Sequence, residues 1–311
     1  MKVLVTGGAG FIGSHLVEHY QHKAEVVVLD NFRTGHRQNL KGLNCKIIQG
    51  SVLDASLLHR ILPNTDYIFH LAALVSVPES ISRPKETVEI NTLGLLTVLE
   101  AARLHRVKKL CFASSAAVYG EDPECPKLES MLPMPRSPYG ITKLDGEHYC
   151  AFYSSQGWLK TAALRFFNVF GPRQDPEGPY AAAVAAFIQR ALLNDPITIF
   201  GDGRQTRDFV YVKDIVGALS FLAAHHDATG IYNAGYGKSI AVIELARAIL
   251  AETGSSSKLV HASQRAGDVR ESVANARKLI NLGWQPTHGV KEGLAETIHF
   301  YAEQTGRNSM T

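Results

Sequence analysis

The sequence of 311 residues predicts an α/β fold built on a doubly wound parallel sheet, with a smaller, partly interleaved α/β lobe. Short β-branched runs alternate with longer helical patterns, and the runs are apolar throughout instead of alternately apolar and polar. Strands of that kind are buried on both faces, as in parallel sheets covered by helices. A glycine-rich turn between the first strand and the first helix also predicts a ligand crevice at the carboxyl edge of the sheet.

The first half of the chain supplies the predicted sheet. Its strands are expected at 2–6, 25–30, 45–50, 66–73, 108–115 and 161–167. The helical patterns lie at 11–21, 86–106 and 139–155. Five of the thirteen prolines fall in 121–138, and this density excludes a helix interior or a central strand. The segment is therefore predicted to be a surface loop that leads to Tyr139.

The pattern changes after residue 168, where a proline- and glycine-rich loop begins. We expect a helix over 181–193, strands near 197–200 and 208–212, and helices near 213–225, 240–253 and 289–303. We therefore predict a dinucleotide-binding domain formed by 1–168 together with about 205–235. The second, substrate-binding lobe would comprise 169–204 and 236–311.

The composition argues against nucleic acids, membrane surfaces and metal ions as binding partners of this protein. The net charge is only +3 and no lysine- or arginine-rich run occurs, so neither nucleic acid nor a membrane surface is indicated. The thirteen histidines and four isolated cysteines show no metal-ligand spacing, so no metal site is expected. Reduced thiols and the lack of a signal peptide or an apolar span of ~18 residues favour a cytoplasmic protein.

The turn "TGGAGFIG" has the features of a dinucleotide-binding fingerprint. Gly7 permits the tight turn, Gly10 allows a pyrophosphate to approach the backbone, and Gly13 allows close helix packing. Asp30 ends the second strand, where a carboxylate binds ribose hydroxyls and repels a 2′-phosphate. NAD is therefore favoured over NADP in a Rossmann domain, although the nearby Arg33 leaves NADP open. The alternative is a glycine loop without a ligand.

Polar side chains at the strand ends suggest the chemistry. Ser114 and Ser115 end the fifth strand, while Tyr139 and Lys143 lie one helical turn apart. An ammonium and an oxidised nicotinamide would lower the pKa of the Tyr139 phenol, giving a general base for alcohol oxidation. A serine hydroxyl could bridge tyrosine and substrate, and Asn91 lies on the helix after the fourth strand. The alternative is an ordinary amphipathic helix with a buried ring and a solvated lysine.

Eight motifs then mark a resemblance that runs nearly end to end: "TGGAGFIGSH", "DNFRTGH", "HLAALVSVPES", "SSAAVYG", "SPYGITK", "RFFNVFGPRQDP", "QTRDFVYV" and "RAGDVRES". The sequence resembles extended short-chain dehydrogenases/reductases, and among them UDP-sugar 4-epimerases. The resemblance implies Ser115, Tyr139 and Lys143 as catalytic residues. It implies cofactor contacts at Gly7, Gly10, Phe11, Ile12, Gly13, Asp30, Asn31, Phe32, Arg33, Thr34, Gly35, Ser51, Val52, Leu71, Ala72, Ala73, Val75, Asn91, Ser114, Tyr139, Lys143, Phe166 and Phe167. Ser51 departs from the family, which usually has an aspartate facing the adenine there.

The same resemblance implies a UDP-sugar as the substrate. Asn168 and Arg207 would contact the diphosphate, and Arg265 and Asp268 the diphosphate and the uridine ribose. Thr198, Ile199 and Phe200 would flank the uracil, and the remaining substrate positions are Ser115, Tyr139, Ala182, Ala183 and Ser272. Arginines at a cofactor crevice suit a diphosphate because they can bind it bidentately. The family also forms homodimers through the helices at 86–106 and 139–155, so a homodimer is expected.

Two alanines distinguish the candidate reactions. Related 4,6-dehydratases carry an Asp–Glu pair directly after the serine or threonine, but this sequence has Ala116 and Ala117. The resemblance therefore favours 4-epimerisation through a 4-keto sugar over elimination or decarboxylation. Ser272 stands where epimerases restricted to glucose and galactose have a bulky tyrosine. The resemblance therefore implies UDP-GlcNAc and UDP-GalNAc as substrates in addition to UDP-glucose and UDP-galactose. The alternative is that Ser272 is only the first residue of a helix.

Two other functions stay open. UDP-glucuronate is an alternative substrate, because Arg173 or Arg83 could hold its carboxylate. A protein that only senses a nucleotide is a further alternative, although such proteins typically lose the tyrosine or the lysine.

Overall fold

A parallel sheet forms the centre of the computed structural model, which describes residues 1–177, 182–264 and 269–305. Within these ranges the strands are β1 (Lys2–Thr6), β2 (Glu25–Asp30), β3 (Lys46–Gln49), β4 (Tyr67–His70), β5 (Lys109–Ser115), β6 (Lys160–Phe166), β7 (Asn168–Phe170), β8 (Ile197–Phe200), β9 (Thr206–Arg207), β10 (Phe209–Tyr211), β11 (Gly230–Ala234), β12 (Ile240–Ala241), β13 (Leu259–Ala262) and β14 (Glu271–Ser272).

The helices of the same ranges are α1 (Phe11–Tyr20), α2 (Ala55–Ile61), α3 (Val77–Ser82), α4 (Pro84–Val88), α5 (Gly94–Leu104), α6 (Pro138–Ser155), α7 (Ala183–Leu193), α8 (Val212–Ala224), α9 (Val242–Thr253), α10 (Arg277–Asn281) and α11 (Val290–Gln304). A π-helical turn (Glu89–Leu93) joins α4 to α5, and 3₁₀ turns span Arg37–Leu40 and Ala116–Tyr119. None of the helices in the described parts of the chain is long and apolar enough to cross a membrane.

The strand order confirms the predicted fold class. In the described chain, seven parallel strands follow the order β11-β6-β5-β4-β1-β2-β3. The order reverses between β1 and β4, and the carboxyl ends of these two strands diverge into a crevice. The six predicted strands of the first half are all present, with ends that shift by at most three residues. The sequence analysis missed β11, because its run "GIYNA" contains too few apolar residues to stand out.

Both faces of the sheet are apolar, which explains the uninterrupted apolar runs. Val3 and Val5 pack with α1 and α8 on one face, whereas Leu4 packs with α2 and α5 on the other. Val28 and Leu29 divide between the two faces in the same way. All five side chains are fully buried. Successive side chains of a strand point to opposite faces, so a strand covered on both sides needs no polar alternation.

The second lobe has its own core of buried side chains from α7, α9 and α11, and short strands cover it. Strand β7 pairs with β10, β9 lies between β12 and β14, and β8 pairs with β13. The helix predicted from residue 181 is described from Ala183 onward. The lobe meets the main sheet where β6 passes directly into β7, at the carboxyl edge that carries the crevice. The proposed division into two domains stays a prediction.

Candidate active site

A cavity of about 600 Å³ opens at the carboxyl edge of the sheet, beside the reversal point between β1 and β4. Most of the residues predicted to bind a cofactor line it: Gly7, Gly10, Phe11, Ile12, Gly13, Asp30, Asn31, Arg33, Thr34, Gly35, Ser51, Val52, Leu71, Ala72, Ala73, Val75, Ser114, Tyr139, Lys143, Phe166 and Phe167. Phe32 and Asn91 are not part of the lining. The lining also includes residues that the sequence analysis did not select, among them His36, Asn39, Ile90 and Gln174.

The glycine turn closes tightly against the sheet. Gly7 has a φ of 71°, in the left-handed region that favours glycine, and a Cβ there would lie 2.8 Å from the backbone nitrogen of Ala72. A Cβ on Gly13 would lie 2.2 Å from the Gly7 carbonyl oxygen. Helix α1 therefore starts directly on the turn, with Gly10 as a cap that offers no side-chain acceptor. The first N–H groups of α1 remain available for a phosphate.

Asp30 fixes the end of β2 beside this turn. Its Oδ2 accepts a hydrogen bond from the Ala9 N–H at 2.9 Å, and its Oδ1 accepts one from the Phe32 N–H at 2.8 Å. The carboxylate is 7% exposed and belongs to the cavity lining. A carboxylate at this point of a dinucleotide fold can accept hydrogen bonds from ribose hydroxyls. The turn and Asp30 thus fit the pyrophosphate and the adenosine ribose of NAD.

The three predicted catalytic residues meet in one wall of the cavity. Ser137 caps α6 by accepting the Gly140 N–H at 3.1 Å, and Pro138 occupies the first helical position, so Tyr139 falls in the first turn. Lys143 follows one turn later; its Nζ donates to the Ala113 carbonyl oxygen at 2.7 Å and lies 5.6 Å from the centre of the Tyr139 ring. Ser115 ends β5 on the same side.

Burial controls the proton affinities of this group. It lowers the pKa of Lys143 to about 8 and raises the pKa of Tyr139 above its usual value, although a hydrogen bond with the Ser115 side chain partly opposes the rise. A lowered pKa for Tyr139 is expected beside both an ammonium and an oxidised nicotinamide, and it stays a prediction for the NAD-bound protein. In the ligand-free protein, desolvation of the Tyr139 phenol outweighs the hydrogen bond with Ser115, and a positive charge nearby would lower the pKa of the phenol.

A buried network behind Lys143 was not visible in the sequence. Glu147, one turn further along α6, accepts bonds from Arg165 Nε at 2.8 Å and Nη2 at 2.7 Å. The same carboxylate accepts a bond from Ser114 Oγ at 2.5 Å. Glu147 and Arg165 are each 1% exposed. Ser114 is therefore committed to Glu147, whereas the Ser115 hydroxyl faces Tyr139.

Asn91 lies on the π-helical turn, and its side chain is committed to the backbone. Its Oδ1 accepts the Leu74 N–H at 2.7 Å, while its Nδ2 donates to the Leu74 carbonyl oxygen and to Thr142 Oγ1, both at 3.0 Å. The side chain of Asn91 is therefore not positioned for the predicted direct contact with a cofactor. Asn91 instead ties the cavity-lining segment at Leu74 to helix α6.

Three of the predicted substrate residues, Asn168, Arg207 and Ser272, lie next to Asp208. Arg207 and Ser272 are register partners in β9 and β14, and the Asn168 N–H donates to the Asp208 carbonyl oxygen at 3.0 Å. The buried carboxylate of Asp208 accepts backbone N–H groups of Tyr236, Gly237 and Ala274 at 2.8 to 3.0 Å. Ser272 thus belongs to a strand, and its alternative reading as a helix start is wrong.

The other predicted substrate positions are spread along the second lobe. Ala182 lines the cavity and Ala183 begins α7. Thr198 is exposed and Phe200 half-buried on β8, whereas the Ile199 side chain between them is fully buried in the core. The Ile199 side chain is therefore unavailable to a uracil, because alternate strand residues point to opposite faces. Arg265 and Asp268 lie outside the described residues.

Comparisons with known proteins agree with this geometry. A model of the "NAD dependent epimerase/dehydratase family" matches residues 3–235. The chain is 38% identical over 301 residues to a putative UDP-glucose 4-epimerase of Methanocaldococcus jannaschii, covering 96% of this chain and 97% of that protein.

Two solved structures are similar over nearly their whole length. A UDP-N-acetylglucosamine 4-epimerase from Methanobrevibacter ruminantium, in complex with UDP-N-acetylmuramic acid, has a TM-score of 0.93 and 39% identity, covering 97% of this chain and 98% of that one. A UDP-glucose 4-epimerase from Thermus thermophilus, in complex with NAD, has a TM-score of 0.89 and 39% identity, covering 97% and 99%. This chain therefore belongs to the NAD-dependent epimerase/dehydratase family.

Proposed function

We propose that the protein catalyses 4-epimerisation of a UDP-hexose through a 4-keto intermediate, with NAD tightly bound. The observation that carries this proposal is the convergence of Ser115, Tyr139 and Lys143 on one wall of the cavity that fits the dinucleotide. NAD, when bound in this cavity, would supply the hydride acceptor and donor for C4 of the sugar. The reaction is redox-neutral overall, so the cofactor need not leave between turnovers.

The chain's own residues would move the proton. Tyr139 takes the proton of the sugar 4-hydroxyl as the C4–H bond breaks, and Ser115 hydrogen-bonds the same oxygen. Lys143, held in place by the Ala113 carbonyl, stabilises the phenolate electrostatically. After the 4-keto sugar has rotated and C4 is reduced on its opposite face, Tyr139 would return the proton to the 4-oxygen. Atoms and electrons balance without an external oxidant.

The turn after Ser115 favours epimerisation over elimination. Ala116 and Ala117 open the 3₁₀ turn there, and the Ala117 N–H is bonded to Ser115 Oγ at 3.1 Å. Methyl side chains at these positions cannot act as the acid and base that loss of a 6-hydroxyl requires. A 4,6-dehydratase is therefore the weaker candidate.

The substrate range is proposed to include UDP-GlcNAc and UDP-GalNAc as well as UDP-glucose and UDP-galactose. The small Ser272 beside Arg207 supports this range, because a bulky residue there would take space from an N-acetyl group. The similarity to an epimerase named for UDP-N-acetylglucosamine supports it as well.

UDP-glucuronate is a weaker candidate because both proposed carboxylate ligands are engaged. Arg173 Nη2 contacts Glu18 and lies 2.9 Å from His15 Nδ1, at the side of α1. Arg83 is exposed on the surface, where its Nη1 lies 3.5 Å from Glu86 Oε2. Arg83 lies outside the cavity lining, whereas Arg173 belongs to it and would have to exchange its contacts with Glu18 and His15 for a sugar carboxylate.

A homodimer is proposed as the working assembly. Apolar side chains of Val88, Leu93, Ile141 and Phe152 are between 43% and 50% exposed along α4, the π-helical turn and α6. The three elements that carry these side chains pack against one another. Exposed apolar side chains in this number commonly mark an interaction surface.

The test is turnover without added cofactor. Purified protein is supplied separately with UDP-GlcNAc and UDP-glucose, and proton NMR follows the appearance of each C4 epimer. We expect turnover of both sugars, loss of about 100-fold or more in Tyr139→Phe with unchanged NAD content, and little change in Tyr149→Phe, which alters the same helix outside the cavity. Ser272→Tyr should lose the N-acetylated sugar selectively.

Each failure has a distinct meaning. An unchanged rate in Tyr139→Phe would refute the assignment of Tyr139 as the base. Binding of NAD without turnover of either sugar would favour a nucleotide sensor. Turnover of UDP-glucose alone would refute the assigned role of Ser272 and leave the mechanism standing. Formation of a 6-deoxy-4-keto sugar would identify a dehydratase.

A further inference from the structure

Arg33 occupies the position at which dinucleotide folds distinguish NAD from NADP. It follows β2 by three residues and lines the cavity together with Asp30. A carboxylate at the end of this strand binds the 2′-hydroxyl of the adenosine ribose, whereas a nearby arginine accommodates a 2′-phosphate. The chain thus has both the carboxylate, Asp30, and the arginine, Arg33. Whether Arg33 can bind a 2′-phosphate depends on its own partners.

Two carboxylates hold the Arg33 guanidinium. Its Nη1 contacts Glu86 Oε1, and its Nη2 donates to Glu79 Oε1 at 2.8 Å. Glu79 lies on α3 and Glu86 on α4, so the two ion pairs connect the β2 loop to the helices that follow β4. Arg83 lies within 3.8 Å of Glu79 and 3.5 Å of Glu86. The two arginines and two glutamates therefore balance in charge.

Because the charges of the two arginines and two glutamates cancel, this cluster does not offset the negative charge of Asp30. Its carboxylate is nearly buried and is fixed by the N–H groups of Ala9 and Phe32, so it cannot turn away from the ribose. A 2′-phosphate would meet this negative charge, while the Arg33 guanidinium is directed toward Glu79 and Glu86. The neighbouring Arg37 is also engaged, because it stacks on the Phe32 ring and donates to Gln49 Oε1 at 2.7 Å. Repulsion close to a partly buried site is stronger than in bulk water.

We propose that Glu79 and Glu86 are cofactor-specificity residues, which exclude NADP by sequestering Arg33. They act through Arg33 and lie outside the cavity lining, so they are positioning residues. Replacing both with neutral glutamines would release the guanidinium and change the cluster from neutral to positive. The site would then offer a phosphate partner beside Asp30.

The test measures cofactor choice directly. Wild type and the Glu79→Gln/Glu86→Gln variant are incubated with equal concentrations of NAD⁺ and NADP⁺ until radiolabelled NAD⁺ shows that exchange is complete. After desalting and denaturation, the released nucleotides are quantified by chromatography. We expect the ratio of bound NADP⁺ to bound NAD⁺ to rise about tenfold or more in the variant.

Two further variants separate the causes. Glu89→Gln removes one negative charge, half the change in the double variant, from an exposed glutamate on the adjoining π-helical turn and should leave the ratio unchanged. Adding Arg33→Met to the double variant should abolish the gain. The inference is overturned by an unchanged ratio in the double variant, by an equal gain in Glu89→Gln, or by a gain that persists without Arg33. The readout requires no sugar turnover, so its failure is distinct from failure of the proposed epimerase activity.

Discussion

Lys143 combines a proposed catalytic role with an unfavourable location for a charge. It is 4% exposed, and within the cavity wall its Nζ donates to a single carbonyl oxygen, that of Ala113. Burial lowers its pKa from 10.5 to about 8, so the folded protein releases this proton more readily than the unfolded chain does. Stabilising the Tyr139 phenolate therefore costs conformational stability at neutral pH, as is common at functional sites.

The lowered pKa of Lys143 predicts that the free energy of unfolding increases with pH. Between pH 8 and pH 10.5 the unfolded chain binds more protons at Lys143 than the folded protein does, so stability from this group rises with pH. Wild-type stability minus that of Lys143→Met should increase by about 1 kcal/mol from pH 7 to pH 9 in nucleotide-free protein. Urea unfolding at both pH values measures the difference, and a flat difference would contradict the buried ammonium.

The Glu147–Arg165 pair should be indispensable for folding. Replacing Glu147 with glutamine leaves the Arg165 charge buried without a counter-ion and weakens the hydrogen bond of Ser114. We expect Glu147→Gln to lower the free energy of unfolding by about 3 to 5 kcal/mol. Asp227→Asn, which breaks an exposed pair with Lys160, is the matched control and should have little effect. Similar denaturation midpoints for the two variants would contradict the assigned role of the buried pair.

At the scale of elements, the π-helical turn gives Asn91 its position. The turn directs the amide at the backbone of Leu74 and at Thr142, so one side chain joins the segment after β4 to α6. Wide turns of this kind occur frequently at functional sites. They are difficult to recognise from sequence because their apolar spacing differs little from that of an α-helix.

Removal of this amide should loosen the cavity as well as the fold. Asn91→Ala leaves the buried N–H and C=O of Leu74 unpaired, which should cost about 2 to 4 kcal/mol in the free energy of unfolding. Because Leu74 lines the cavity, NAD should also dissociate faster than from wild type. Thermal unfolding and the rate of NAD release measure the two effects. Thr97→Val, at a half-buried position on α5 whose hydroxyl donates to the Leu93 carbonyl oxygen, is the control that should alter neither.

Local patterns predicted the strands well and the long-range partners poorly. The runs of β1 to β6 and the glycine turn are legible because burial on two faces and a tight turn each impose a residue type. The link between Ser114 and Glu147 spans 33 residues, and the links at Asp208 span as many as 66. Such contacts depend on how elements pack, and a single sequence contains no periodicity that reports them.

At the scale of the whole molecule, the exposed apolar region predicts the oligomeric state. We expect light scattering to give twice the 34.0 kDa mass of the chain. Phe152→Glu should shift the protein toward the monomer, because a charge buried in an apolar contact is costly. Leu282→Glu changes a similarly exposed apolar residue after α10 and should leave the mass unchanged. A monomeric wild type, or equal shifts in both variants, would place the contact elsewhere.

Helix α6 has a consequence beyond its own geometry. Tyr139, Lys143 and Glu147 follow one another at successive turns, while Ile141 is rotated by about 200° from Tyr139 and is exposed. A neighbouring subunit that rested on Ile141 would therefore press on the back of the helix that carries the proton-transfer groups. Dilution that dissociates the dimer would then lower the specific activity, so the catalytic rate would report the fraction of dimer.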